Sequence, residues 1–270
     1  MQSAEAATQR MTRVRELDLE VREAGTGADA LYLHPGRGFI GSEAFVDALS
    51  RHMRVVAPSH PGFGASALPD WMSTVEDLAY HYLDVIEALD LRDATLIGSS
   101  FGGWIAASIA IKRSPRIARV VLMDPVGLKV GGREDRDIVD IWGRTSQELL
   151  ELGFHDPAKG RIDYASLPEA TVLELSRNRE SEAWFGWSPY MHDPKLKNRL
   201  HRIDRPTLVL WGASDRIVTP DYGRAYAAAI PGAELQTIAQ AGHLPQVEQP
   251  EACAAAIREF IAATPAAPRS

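Results

Sequence analysis

Apolar and polar residues alternate over residues 17–23, with Leu17, Leu19 and Val21 on one side, as in a strand with one face exposed. Short apolar runs follow at 30–34 and 54–58. The first ends in the loop Pro35-Gly36-Arg37-Gly38 and the second is closed by Pro61-Gly62-Phe63-Gly64. Residues 95–98, 119–123 and 207–211 are short, rich in β-branched residues and bounded by turn residues, the pattern of strands buried on both faces. Residues 233–239 are also strand-like. Between these runs the period becomes helical. Over 74–91, Val75, Leu78, Ala79, Tyr82, Val85, Ile86 and Leu89 fall on one face, and Thr74 with Asp77 three residues later predicts an N-terminal cap. Residues 104–112 and 250–262 repeat the helical pattern. Strands alternating with helices predict an α/β fold built on a parallel sheet covered on both faces.

The alternation breaks between 127 and 202. This stretch has helical patches, many charges and no convincing buried strand, and it carries Trp142, Trp184 and Trp187. It reads as a helical cap inserted after the sixth strand, with residues 1–126 and 203–270 forming the core domain. A chain of 270 residues suits one large domain with such an insertion.

Composition narrows the function. At this length, with 45% hydrophobic residues, the core needs neither disulfide nor metal for stability. The only cysteine, Cys253, excludes an intrachain disulfide and reads as a small buried apolar residue. A net charge of -7 with no basic stripe argues against nucleic acid or an anionic membrane as partner. The polar start, residues 1–15, lacks the apolar segment of a signal peptide, and no apolar run approaches the ~18 residues of a membrane helix. A cytoplasmic protein acting on a small-molecule substrate is the expectation, with a homodimer left open. Residues 264–270 read as a frayed end.

The chemistry concentrates at Gly98-Ser99-Ser100-Phe101-Gly102-Gly103, a G-x-S-x-G pattern between a strand and a helix. A sharp strand-to-helix reversal strains its central residue and lifts the Ser100 hydroxyl above the sheet, at a helix N-terminus that favours developing negative charge. A serine is a weak nucleophile and needs a base. His243, in the loop Gln240-Ala241-Gly242-His243-Leu244-Pro245, is the candidate. The base needs an acid to hold its tautomer. Asp215, just beyond the strand at 207–211, and Asp124, which ends the preceding strand, are both candidates, and Asp215 is favoured because Trp211-Gly212-Ala213-Ser214-Asp215 matches a recognisable pattern.

From about 17 to 262 the chain resembles the α/β-hydrolase superfamily. The order Ser100, Asp215, His243 is that family's order. Residues Leu33-His34-Pro35-Gly36 are similar to its oxyanion loop with a proline interposed, and His60-Pro61-Gly62-Phe63-Gly64-Ala65-Ser66 to its glycine-rich loop, with Ser59 where members often have aspartate. The resemblance implies a mostly parallel eight-stranded sheet with a cap, and an oxyanion hole of two backbone N–H groups. One would come from Phe101, the other from Gly36 or Arg37. His34 and His60 read as structural. Trp142, Trp184, Trp187 and Phe39 are the expected pocket walls. Neither cofactor nor metal is expected. Gly36-Arg37-Gly38-Phe39-Ile40-Gly41 fits a dinucleotide-binding pattern, but the next strand ends in Ser59-His60 without the required carboxylate.

Ser100 argues against the branches with an aspartate nucleophile. Simple carboxylic ester hydrolysis leads the expectations, with C–C cleavage of a meta-cleavage-type dienone as the alternative. Hydrolases of the second kind often carry Asn before the serine and Trp after the histidine, where this chain has Ser99 and Leu244. A catalytically silent ligand-binding relative is the reading from a different functional class.

Overall fold

The structure, a computed structural model, describes residues 8–264. Most of the proposed frayed tail, and the first seven residues of the polar start, lie outside them. The strands are β1 (Thr8–Val14), β2 (Leu17–Ala24), β3 (Asp29–Leu33), β4 (Arg54–Pro58), β5 (Ala94–Ser99), β6 (Ile117–Met123), β7 (Thr207–Gly212) and β8 (Glu234–Ile238). The helices are α1 (Glu43–Ser50), α2 (Val75–Ala88), α3 (Phe101–Ala110), α4 (Ser146–Gly153), α5 (Pro157–Gly160), α6 (Glu169–Gly186), α7 (Pro220–Ala228), α8 (Pro245–Glu248) and α9 (Pro250–Ala263).

The strands form one eight-stranded sheet in the order β1-β2-β4-β3-β5-β6-β7-β8. β1 pairs antiparallel with β2 and β2 antiparallel with β4, while every other neighbour is parallel. This is the fold class expected from the sequence. Side-chain alternation along the central strands divides the core in two. Leu31, Leu33, Leu96, Val120, Leu122 and Val209 join one apolar cluster with α2, α3 and α7. Their neighbours Tyr32, Ile97, Val121, Met123, Leu208 and Leu210 join the other, with α1 and α9. A strand apolar at every position is therefore buried on both faces, and its run length carries the signal that period cannot.

β1 falls within the stretch that reads as a polar start. It is an edge strand with its first residues exposed, and Gln9, Arg10 and Arg13 occupy it. Edge strands carry charge because an apolar edge would pair with other chains, so the missing hydrophobic period has a physical cause. α2 begins as expected: Thr74 Oγ1 accepts from the Asp77 N–H at 3.1 Å, and the Asp77 carboxylate accepts from the Thr74 N–H at 2.9 Å.

Between β6 and β7 the chain leaves the sheet and forms α4, α5, α6 and short 3-10 turns, with no named strand among them. α6 is held to the core by polar contacts. Arg177 donates to the carbonyls of Gly64 and Ser66, Ser181 donates to the Gly62 carbonyl at 2.7 Å, and the Asn178 carboxamide oxygen accepts from the Gly64 N–H at 2.9 Å. The segment also shares the main core, since Phe185, Leu196 and Leu200 pack with Phe101 and Trp104. Among the described residues no helix is long and apolar enough to cross a membrane.

Candidate active site

Ser100 sits between β5 and α3 with φ 52° and ψ -114°, a left-handed backbone that a serine adopts only under strain. The surroundings demand this turn. A Cβ at Gly98 would overlap the Gly102 carbonyl, and a Cβ at Gly102 would overlap the carbonyls of Leu33 and His34. The two glycines let α3 press against the end of β3, which brings the Phe101 amide beside the loop that starts at His34. As the first residue of a helix, Phe101 has no intrahelical partner for its N–H. The N–H groups of Gly36 and Arg37 likewise donate to no protein group among the described residues.

The His34 loop is braced by two buried imidazoles. His34 Nδ1 donates to the Pro35 carbonyl at 2.7 Å, and its Nε2 accepts from the His60 N–H at 3.0 Å. His60 Nε2 donates to the His34 carbonyl at 2.9 Å, while its Nδ1 accepts from the Tyr82 hydroxyl. These bonds require neutral rings. Burial enforces that state, pushing His34 down to about 3 and His60 well below the usual imidazole range. Both histidines therefore hold the loop's shape. Ser59 donates to the buried Glu20 carboxylate at 2.6 Å, so its hydroxyl serves packing below the site.

His243 follows β8 in a loop pinned by the Glu248 carboxylate, which accepts from the N–H groups of Gly242, His155 and Asp156. Its Nε2 stands 2.8 Å from Ser100 Oγ, and its Nδ1 2.8 Å from Asp215 Oδ2. The Asp215 side chain is fully buried in the turn that follows β7, and its other oxygen accepts from the N–H groups of Ile217 at 2.8 Å and Val218 at 3.0 Å. Three groups from three distant stretches of chain thus form one hydrogen-bonded line.

Asp124 lies next to this line. Its Oδ1 accepts from the Gly212 N–H at 2.9 Å, and its Oδ2 finds no N–H or hydroxyl donor among the described residues. Burial, reinforced by the neighbouring Asp215 charge, raises its carboxyl well above the usual range and favours its neutral form. Asp124, Asp215 and His243 offer ligand atoms within 4.8 Å of one another. Asp215 and His243 already bond to each other, and each has its remaining acceptor or donor atom engaged by the protein.

Ser100 and His243 line a cavity of about 150 Å³ together with Pro35, Gly36 and Arg37. Its walls are mainly aliphatic: Val126, Ile138, Ile141, Leu149, Met191 and Ile217. None of the four aromatic residues expected there takes part. Trp187 is 64% exposed and leans on Trp142, with ring centroids 5.4 Å apart. Trp184 is 56% exposed and donates its indole N–H to the Met72 carbonyl. Phe39 points to the other side of its loop, against His34 and Tyr32. The cause is the rotation of α6. Its buried face carries Asn178, Ser181 and Phe185, so Trp184 and, just past its end, Trp187 turn outward.

The same rotation delivers a residue that the apolar pattern concealed. Glu182 enters the cavity of Ser100, with its carboxyl so close to Gly36 that a Cβ there would overlap it. Burial raises it to about 7, opposed by the charges of Arg179 and His243. The available signal was positional: 178, 181, 182 and 185 share one helical face, and three of the four are polar.

A family model for the alpha/beta hydrolase family matches residues 30–256. The chain is 29% identical over 260 residues to a 2-hydroxymuconate semialdehyde hydrolase of Pseudomonas putida, covering 90% of each. Among solved structures it resembles an esterase from Thermogutta terrifontis, with 26% identity, a TM-score of 0.73, and 96% and 99% of the two chains covered. A meta-cleavage product hydrolase from Pseudomonas fluorescens shares the fold at 21% identity and a TM-score of 0.77, over 95% and 98% of the chains. Sheet order, strand-to-helix turn and sequence match agree, and the chain belongs to the alpha/beta hydrolase family and is a hydrolase.

Proposed function

We propose that this protein is a serine hydrolase that cleaves small, largely apolar carboxylic esters through an acyl-enzyme. The observation that carries the reading is the unbroken hydrogen-bonded line from Ser100 Oγ through His243 to Asp215, opening into an aliphatic cavity. Ser100 Oγ attacks the acyl carbon and its proton passes to His243 Nε2. Asp215 holds the imidazole with Nδ1 protonated and stabilises the imidazolium. The N–H of Phe101, with that of Gly36 or Arg37, receives the charge that develops on the carbonyl oxygen. The tetrahedral adduct expels the alcohol as Nε2 returns the proton, and a water activated by the same imidazole then releases the acid.

C–C bond cleavage of a meta-cleavage-type dienone is the second reading. The semialdehyde hydrolase relative favours it. It uses the same nucleophile and base with a carbon leaving group. Leu244 on the cavity wall and the buried Ser99 favour the ester, since neither supplies the polar contacts of Asn or the broad face of Trp.

A fluorophosphonate probe should label wild type and not Ser100→Ala, and p-nitrophenyl esters of two to six acyl carbons should be hydrolysed faster than a ring-cleavage dienone. Faster turnover of the dienone would select the C–C reading. Absence of labelling would remove the serine nucleophile altogether.

A further inference from the structure

Glu182 belongs to α6, yet no hydrogen bond or ion pair from any described residue reaches its carboxyl. Side chains that serve only to fasten this helix behave differently. Arg177, Asn178 and Ser181, in the turn just before it, each bond to the loops below. Glu182 instead stops against Gly36, in the cavity that contains Ser100 and His243. A carboxyl with no hydrogen-bond partner, in a cavity lined mainly by aliphatic side chains, is costly if it fastens nothing, and the charges of Arg179 and His243 offset only part of that cost. A substrate oxygen at the same place would give it a partner.

We propose that Glu182 is a substrate-contacting acid: its neutral carboxyl donates a hydrogen bond to the acyl oxygen that turns towards Gly36, and its ionisation opposes the charge developing there. This deepens the serine hydrolase reading and rests on it. It adds to the two backbone donors a third, supplied by the inserted segment, so that a correctly seated α6 becomes a condition for turnover.

The groups facing Glu182 come from four directions. Arg179 lies on the same helix and donates to the Ile141 carbonyl at 3.1 Å. His243 enters from the loop after β8, with Asp215 behind it. Arg37 lines the cavity from the oxyanion loop. Tyr190, beyond the end of α6, has its hydroxyl held between the Ile141 N–H and the Val139 carbonyl, and burial pushes it up to about 12, outside the working range. The sign of the pH effect follows. Below about 7 Glu182 is neutral and can donate; above it the carboxylate repels an oxyanion. His243 must be uncharged to act as base, which limits activity on the acid side. Turnover therefore needs Glu182 in its neutral form. A serine–histidine pair alone gives a rise with pH followed by a plateau; Glu182 replaces the plateau with a fall.

The test follows the second-order rate of Ser100 phosphonylation by a neutral alkyl fluorophosphonate from pH 5 to 9.5, which needs no knowledge of the natural substrate. Wild type should peak near neutrality and lose about tenfold per pH unit once Glu182 is ionised. Glu182→Gln, an isosteric amide that donates but cannot ionise, should show no alkaline fall. Glu182→Ala should also lack the fall, but react about a hundredfold more slowly than Glu182→Gln, as expected for a lost oxyanion donor. Thermal melts at each pH separate these effects from unfolding. An alkaline fall retained in Glu182→Gln, or equal rates for the Gln and Ala variants, overturns the proposal while leaving the serine nucleophile standing. No labelling of wild type at any pH overturns both.

Discussion

Two carboxyl groups, Asp215 and Asp124, stand close to His243, and their surroundings assign them different work. Asp215 accepts two backbone N–H groups and the imidazole, so its negative charge is well solvated by the protein. Asp124, one strand away, has a single backbone donor and a neighbouring anion, which keeps it neutral. Mutation should separate them. Ser100→Ala and His243→Ala are expected to lower kcat by about four to six decades, and Asp215→Asn by roughly four, because the amide favours the wrong tautomer. Asp124→Asn should cost less than about tenfold. Its carboxamide oxygen can still accept from Gly212, and the amide, like the neutral acid, adds no charge beside Asp215. Steady-state kinetics on one ester checks all four variants; a larger loss for Asp124→Asn than for Asp215→Asn would transfer the role of acid to Asp124.

At the scale of elements, α6 decides what the cavity is made of. It has no apolar stripe, and it is oriented by hydrogen bonds to the loops after β3 and β4 rather than by a hydrophobic seam. Trp184 and the following Trp187 consequently face solvent while aliphatic side chains from α4 and the flanking loops make most of the wall. Enlarging the cavity at Leu149→Ala or Ile141→Ala should move the best substrate to a longer acyl chain, by roughly the two or three carbons deleted. The stability cost should stay below the ~2–5 kcal/mol of a fully buried Leu→Ala, since both residues are partly exposed. Trp187→Ala should leave the ranking of chain lengths unchanged. A graded series of p-nitrophenyl esters reads both effects. A shifted ranking in Trp187→Ala would mean that this tryptophan reaches the substrate after all.

Across the whole molecule, the cluster of Asp124, Asp215 and His243 is engaged internally, so activity should survive exhaustive dialysis against EDTA; a loss restored by zinc would overturn the metal-free mechanism. The parallel sheet was legible along the chain because every central strand is buried on both faces, and the turn at Ser100 because only glycine tolerates the close approaches at 98 and 102. Ser100, Asp215 and His243 each follow a strand, so their order and loop placement could be read one at a time. β1 escaped because a solvent-facing edge needs no apolar period. The pocket escaped for a different reason. Which face of α6 turns inward depends on hydrogen bonds to Gly62 and Gly64, more than a hundred residues earlier in the chain. Local pattern records whether a segment prefers to be a helix or a strand. The rotation of a polar helix is chosen by partners that only the folded chain brings near, and that choice turns Glu182 to the cavity and Trp184 and Trp187 to solvent.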